Sequence, residues 1–233
     1  MQFTTGALYQ FLTGPMFWIS LAICLIGLAV RVVLYIKGLN WQLDRVAYRS
    51  FPKLGAIGAL RSIGYWLVPF GTRGWRRQPF MTIIFFGFHS GAILVLFFLT
   101  AHNQFLAEKI GISFGWTLGP GFADFLSWTV IVCALLLLAR RLVLAEVRIL
   151  TTPYDLLILA LAVAPFITGL LARYETGNYT FWLMAHIISG EILLIAIPFT
   201  KLSHIVLFFA TRAQLGMDYA IKRGGERNAH LAW

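Results

Sequence analysis

Apolar and polar positions alternate along this chain in long blocks rather than residue by residue. Five runs, at about residues 16–36, 80–100, 125–144, 155–172 and 181–210, are apolar almost all round. Each is about as long as a helix must be to cross the ~30 Å hydrocarbon layer of a bilayer. The polar residues gather between them. The block at 37–79 holds Lys37, Arg45, Arg49, Lys53, Arg61, Arg73, Arg76 and Arg77 against the single acid Asp44. Trp41, Tyr48, Phe51, Tyr65 and Trp66, interleaved with these charges, suggest one or two helices lying on a membrane surface, where a soluble partner could dock, or equally a basic interfacial loop with no partner. Asn103 to Asp124, with its glycines and Pro120, reads as an external loop, and RYETGNYT (173–180) as a short one on the same side. Pro153, just inside TTPYD, marks the start of the fourth helix.

The pattern predicts an all-α integral membrane protein, a five-transmembrane-helix bundle forming one domain over residues 1–233. Basic residues set its orientation. The 37–79 loop, the end of the third run (Arg140, Arg141, Arg148) and the tail at 211–233 (Arg212, Lys222, Arg223, Arg227) belong in the cytoplasm, which leaves the N-terminus outside. The uncharged leader MQFTTGALYQFLTG lies in the outer interface and is not expected to be a cleaved signal peptide, since it has no charged start and no small-residue cleavage site.

Composition agrees with this picture. The chain is 59% hydrophobic and 12% charged, with a mean hydropathy of +0.79, far more apolar surface than one globular core hides. The formal charge of +10 does not point to nucleic acid, because its cations sit in loops between apolar runs. Cys24 and Cys133 lie in mid-run, where no disulfide framework is expected, and no CxxCH is present to attach a c-type haem covalently.

Four of the five histidines fall in or at the end of the second and fifth runs: His89, His102, His186 and His204. An ionisable residue inside a membrane is by default a functional candidate, and neutral imidazole is a standard axial ligand of haem iron. His186 and His204 are 18 residues apart, which on one helix is about five turns and about 27 Å, with both on one face. The second and fifth helices run antiparallel, so His89 pairs with His204 toward the cytoplasm and His102 with His186 toward the outside. The 13-residue spacing of His89 and His102, about 20 Å and about 140° from eclipsed on an ideal helix, fits less well. A bend at Pro198, or a departure from helix near Thr100, would absorb it. Gly87, Gly91 and Gly190 sit beside the histidines where a flat macrocycle could approach the backbone, or where helices simply pack closely. Lys201, close to His204, is placed to reach a haem propionate or to snorkel. His230 lies in the polar tail and is left out. The alternative for each histidine is an interhelical hydrogen bond.

These residues resemble a known family. HxxxG from His186, then PF, Thr200, Lys201 and LxH ending at His204, is similar to the corresponding helix of the respiratory nitrate reductase gamma subunit, a dihaem cytochrome b. ARRLVLAEVRILTTPYDLLILAL resembles the segment before it, so the likeness covers about residues 138–207. The longer first cytoplasmic loop and the wider spacing in the second helix make the chain more similar to the membrane subunits of sulfate-reducer electron-transfer complexes and of heterodisulfide reductases. The resemblance implies two non-covalent b-type haems on His89, His102, His186 and His204, and exchange with menaquinone or a similar quinone. It also implies partners: a cytoplasmic iron–sulfur or catalytic subunit, an outer multihaem cytochrome c and other membrane subunits. The setting would be anaerobic respiration in a bacterial or archaeal cytoplasmic membrane. Such a subunit carries electrons rather than catalysing on its own. Glu191 departs from the family, which is apolar there, and it is a candidate for proton exchange with quinone near the outer haem, with Lys109 a weaker one; the equal alternative for Glu191 is a structural interhelical hydrogen bond. The rival readings are a haem-free anchor that only seats redox partners and, behind it, a transporter, which the lack of paired charges in mid-run disfavours.

Overall fold

A computed structural model describes residues 2–39 and 51–222. Trp41, Asp44, Arg45, Tyr48, Arg49, Arg223, Arg227 and His230 lie outside the described residues. The described residues are helical with no strand. The helices are α1 (Gln2–Phe11), α2 (Phe17–Gly38), α3 (Pro52–Leu67), α4 (Arg73–Arg77), α5 (Pro79–Phe98), α6 (Thr100–Ile110), α7 (Pro120–Val143), α8 (Ala145–Arg148), α9 (Pro153–Arg173), α10 (Tyr179–Ala196) and α11 (His204–Lys222). Five helical segments are long and apolar enough to cross a membrane: Gly6–Gly38, Pro79–Phe98, Pro120–Val143, Pro153–Arg173 and Tyr179–Phe199.

The start of the fourth of these is written locally. Thr152 and Asp155 form a reciprocal cap, with the Thr152 amide donating to Asp155 Oδ2 at 3.0 Å and the Asp155 amide to Thr152 Oγ1 at 3.4 Å, and Pro153 fills the first turn, where no amide is needed. Other boundaries differ from expectation. The leader is not separate from the first span: α1 runs into α2 through a π-helical turn at Leu12–Met16 that contains Pro15. The wider turn absorbs the backbone bond that the proline cannot donate.

The fifth run is not one helix to residue 210. α10 stops at Ala196; short 3₁₀ turns at Ile197–Phe199 and Lys201–Ser203 flank an extended Thr200, whose side chain caps the second turn by accepting from the Leu202 amide at 3.2 Å. Pro198 has no amide to donate and crowds the preceding turn, so the ladder ends there. His186 and His204 therefore stand on different helices, and a separation computed along one helix does not apply to them. Nor is the tail from Thr211 a simple polar extension, because α11 continues helical to Lys222.

The second run also breaks. α5 ends at Phe98, Leu99 is extended (φ −62°, ψ 131°), and α6 begins at Thr100, at the end of the second run, and continues to Ile110 in the segment expected to be loop. Nothing at Leu99 itself demands this. The break is held from outside: the Leu118 amide donates to Phe98 O at 2.8 Å, and buried Asn103 clamps Phe114 by two 3.0 Å bonds, one to its amide and one to its carbonyl. Val95, Leu118, Ala123 and Leu126 form a buried cluster beneath it, with Phe98, Leu99 and Phe166 against them.

The chain divides into two compact units, residues 1–20 with 83–194 and residues 21–82 with 195–233. In the first, α5 packs on α7 through glycine: a Cβ at Gly91 would come within 2.8 Å of Val130 Cγ2 and one at Gly87 within 3.1 Å of Cys133 Sγ. In the second, α3 packs on α11 so closely that a Cβ at Gly216 would run into Gly58 O. The Arg212 guanidinium lies 4.5 Å from the centre of the Trp66 ring in the same interface.

Candidate functional site

The first unit brings two of the four histidines together. The rings of His102 and His186 are parallel to within 2°, with centres 5.8 Å apart. Each is oriented by a backbone carbonyl. His102 Nδ1 lies 3.1 Å from Val95 O, in the last turn of α5, a carbonyl that also accepts from the Leu99 amide at 3.3 Å. His186 Nδ1 lies 2.8 Å from Pro165 O in α9. That approach needs Gly169, because a Cβ there would stand 3.0 Å from His186 Nδ1 and 3.1 Å from its Cε1. Ser189, one turn on, accepts or donates across to Thr168 Oγ1 at 3.3 Å, tying α10 to α9 again.

A carbonyl oxygen only accepts, so in both bonds Nδ1 is the donor and carries the proton. Nε2 of each neutral ring keeps its lone pair. A lone pair of this kind is what a metal ion takes up. Burial lowers the pKa of His102 below the usual histidine range, against the opposing pull of the Val95 and Leu96 carbonyls, which keeps its ring neutral at pH 7.

The pair fits haem iron on two counts. Taking ~2 Å for a metal–imidazole bond, two rings on opposite sides of one metal have centres about 6 Å apart, close to the spacing seen here. A ligating histidine also normally donates its other ring N–H to a carbonyl or carboxylate, as both do.

The remaining histidines carry the same bond singly. His89 Nδ1 donates to Phe85 O at 2.8 Å, with the Phe85 ring 4.1 Å from its own and Phe88 edge-on at 5.3 Å. His204, exposed at the start of α11, donates from Nδ1 to Lys201 O at 2.9 Å. His89 belongs to the first unit and His204 to the second.

The other expected residues are placed less simply. Gly87 and Gly91 admit α7 rather than open space, so they serve helix packing. Gly190 has nothing within 4 Å of where its Cβ would be. Lys201 is exposed in the 3₁₀ turn that follows Thr200. Lys109 pairs with Glu108 at 2.8 Å and stands 5.8 Å from the centre of the Phe105 ring, two turns along α6 from His102. Glu191 is only 6% exposed, and its Oε2 has no hydrogen-bond partner. It bonds to Ser20 of the first span, about 140° around α10 from His186, so it faces away from the ring pair. Among the described residues no cluster of three or more His, Cys, Asp or Glu side chains forms a site for a simple metal ion. Asn103, Pro165 and Gly169 position the pair but carry no metal-binding chemistry; the one trace of them in the sequence is a glycine one turn after a proline in a long apolar run.

No family model matches the chain. It is 57% identical over 218 residues to a protein of Nitratidesulfovibrio vulgaris (strain Hildenborough), covering 94% of this chain and 96% of that one.

Proposed function

The chain belongs to the family of this Nitratidesulfovibrio vulgaris protein, and from the His102–His186 pair we propose that it is a dihaem b-type cytochrome subunit of a respiratory membrane complex. The observation that carries the reading is the pair itself: two parallel imidazoles at metal-bridging distance, each with Nδ1 spent on a carbonyl. His102 and His186 hold one haem. A second is assigned to His89 and His204, on the antiparallel order of their runs in the sequence and on the same Nδ1-to-carbonyl bond at each. Bound there, haem supplies one-electron transfer at a potential tuned by its ligands and surroundings. The protein orients each imidazole through its Nδ1–H and partly buries the His102–His186 pair.

The likeness to the nitrate reductase gamma subunit and to sulfate-reducer membrane subunits supports the wider role, in which electrons pass between a menaquinone-type quinone and partner redox subunits. Loop charges support an outside N-terminus and a cytoplasmic C-terminus in a bacterial or archaeal cytoplasmic membrane. On that orientation His102 and His186 hold the outer haem, and an iron–sulfur or catalytic subunit docks on the cytoplasmic side, with a multihaem cytochrome c outside. Glu191, a buried carboxyl with one oxygen unpartnered, is the candidate for proton exchange with quinone, with Lys109 as a second.

The test is the haem-to-protein ratio and the reduced-minus-oxidised spectrum of the detergent-solubilised complex, for the parent and for His102→Ala and His186→Ala. Two b-type haems falling to one in each variant is the expected result. A parent without b-type haem overturns the cytochrome reading in favour of an anchor that only seats partners; two haems persisting in both variants overturn the ligand assignment.

A further inference from the structure

The first apolar helix carries a cation. Arg31 lies in α2 seven residues before Gly38, about 10 Å along the axis, in a segment otherwise apolar enough to cross a membrane. Its Nε donates to Pro198 O at 2.6 Å. One turn earlier on the same face is Gly27, where a Cβ would stand 2.5 Å from Pro198 Cβ. The helix thus presses on the break through a glycine and grips it through an arginine. Pro198 O is available because the amide one turn on, that of Leu202, bonds to Thr200 Oγ1 instead.

That bond uses one of five guanidinium N–H donors. Among the described residues no carboxylate pairs with Arg31. A cation in an apolar span is costly without a partner, and the fork formed by the remaining donors matches a carboxylate or phosphate. Lys201 follows three residues after Pro198, and its carbonyl orients His204. Two cations and an imidazole therefore meet one short break in the backbone.

We infer that Arg31 seats an anionic oxygen group at this break, the carboxylate edge of the haem that His204 holds. The inference rests on the dihaem reading above. A lipid phosphate offers the same chemistry, and the experiment separates the two. The whole complex is reconstituted in nanodiscs of neutral lipid and, separately, of anionic lipid. Each haem's midpoint potential is then measured by redox titration of its absorbance for the parent, Arg31→Gln and Arg31→Lys. Glutamine keeps a donor for Pro198 O but removes the charge; lysine keeps the charge. Removing a cation beside a haem disfavours the reduced, more negative state. The expected result is that Arg31→Gln moves one potential negative, or loses one haem, in both lipids, while Arg31→Lys stays close to the parent. Both potentials unchanged in Arg31→Gln with two haems bound would overturn the inference, as would a shift confined to anionic discs, which assigns the arginine to lipid phosphate. Loss of haem in both variants would also overturn it, because the arginine would then only brace the break. Failure of the dihaem reading itself is visible earlier, as a parent without b-type haem.

Discussion

Gly169→Ala tests the geometry of the His102–His186 pair without touching either ligand. The added methyl carbon would stand 3.0 Å from His186 Nδ1 and 3.1 Å from Cε1, where ordinary contact begins near 3.4 Å. The ring must yield by a few tenths of an ångström, away from α9 and from Pro165 O, the acceptor now at 2.8 Å. Two costs follow. Overpacking of a fitted contact costs ~1–3 kcal/mol. Loss of the hydrogen bond behind a metal-bound histidine typically weakens metal affinity 10–100-fold, or about 1.4–2.8 kcal/mol. On the dihaem proposal the second cost falls on haem binding directly, so the haem assigned to this pair should bind 10–100-fold more weakly, read by titrating haem into the depleted protein and following its Soret absorbance. Gly121→Ala, near the start of α7 in the same unit and with open space at its Cβ position, is the control and should bind haem as the parent does. Parent-like affinity and spectrum in Gly169→Ala would refute the claim that α9 positions the ligand, and an equal loss in Gly121→Ala would show that the effect is not specific to the ring contact.

Other outcomes follow from particular contacts. Asn103→Ala removes both 3.0 Å bonds to Phe114 and should destabilise the solubilised protein by ~2–4 kcal/mol in a thermal scan while loosening the His102 haem. Gly216→Ala drives a methyl into Gly58 O, and because the contact is with backbone, α3 and α11 must separate; the variant should unfold at lower temperature, with protease cleavage appearing first between residues 51 and 79. Acid should destabilise the haem-free protein through His102. Burial depresses its folded-state pKa, so the unfolded chain takes up the proton first, near pH 6.5, and stability falls as pH drops through the window between that value and the lower folded one. A thermal midpoint series across pH 5–8 checks this, and His102→Ala should flatten part of the acid limb.

Some features were legible along the chain because their causes are local. Pro198 lacks an amide, so a break in the fifth run was foreseeable, although its extent was not: two 3₁₀ turns and an extended Thr200 move His204 onto a separate helix. The TTPYD cap was equally legible, since both partners of the reciprocal bond lie within four residues. The break at Leu99 had no local cause; the spacing of His89 and His102, which a departure from helix near Thr100 would absorb, was its one signal. Val95 to Thr100 contains neither proline nor glycine, and the bonds that hold Leu99 extended come from Leu118 and, through Asn103, from Phe114. Gly87 and Gly91 show the converse, being conspicuous in sequence for their place beside His89 yet occupied in the fold by Val130 and Cys133 of α7.

The sequence by itself determined that the chain is helical and membrane-spanning, how many apolar segments it has, and which imidazoles are candidate ligands. These depend on hydropathy and residue type, which any window of the chain displays. The antiparallel order of the runs already paired His102 with His186; tertiary structure alone decided that both Nδ1 atoms donate to carbonyls, since that requires the turn of chain at Leu99, a carbonyl in α9 and a glycine to let the ring reach it. The rings are oriented by residues 7 and 21 positions away, in one case across the break at Leu99 and in the other from another helix, and only packing brings those positions together.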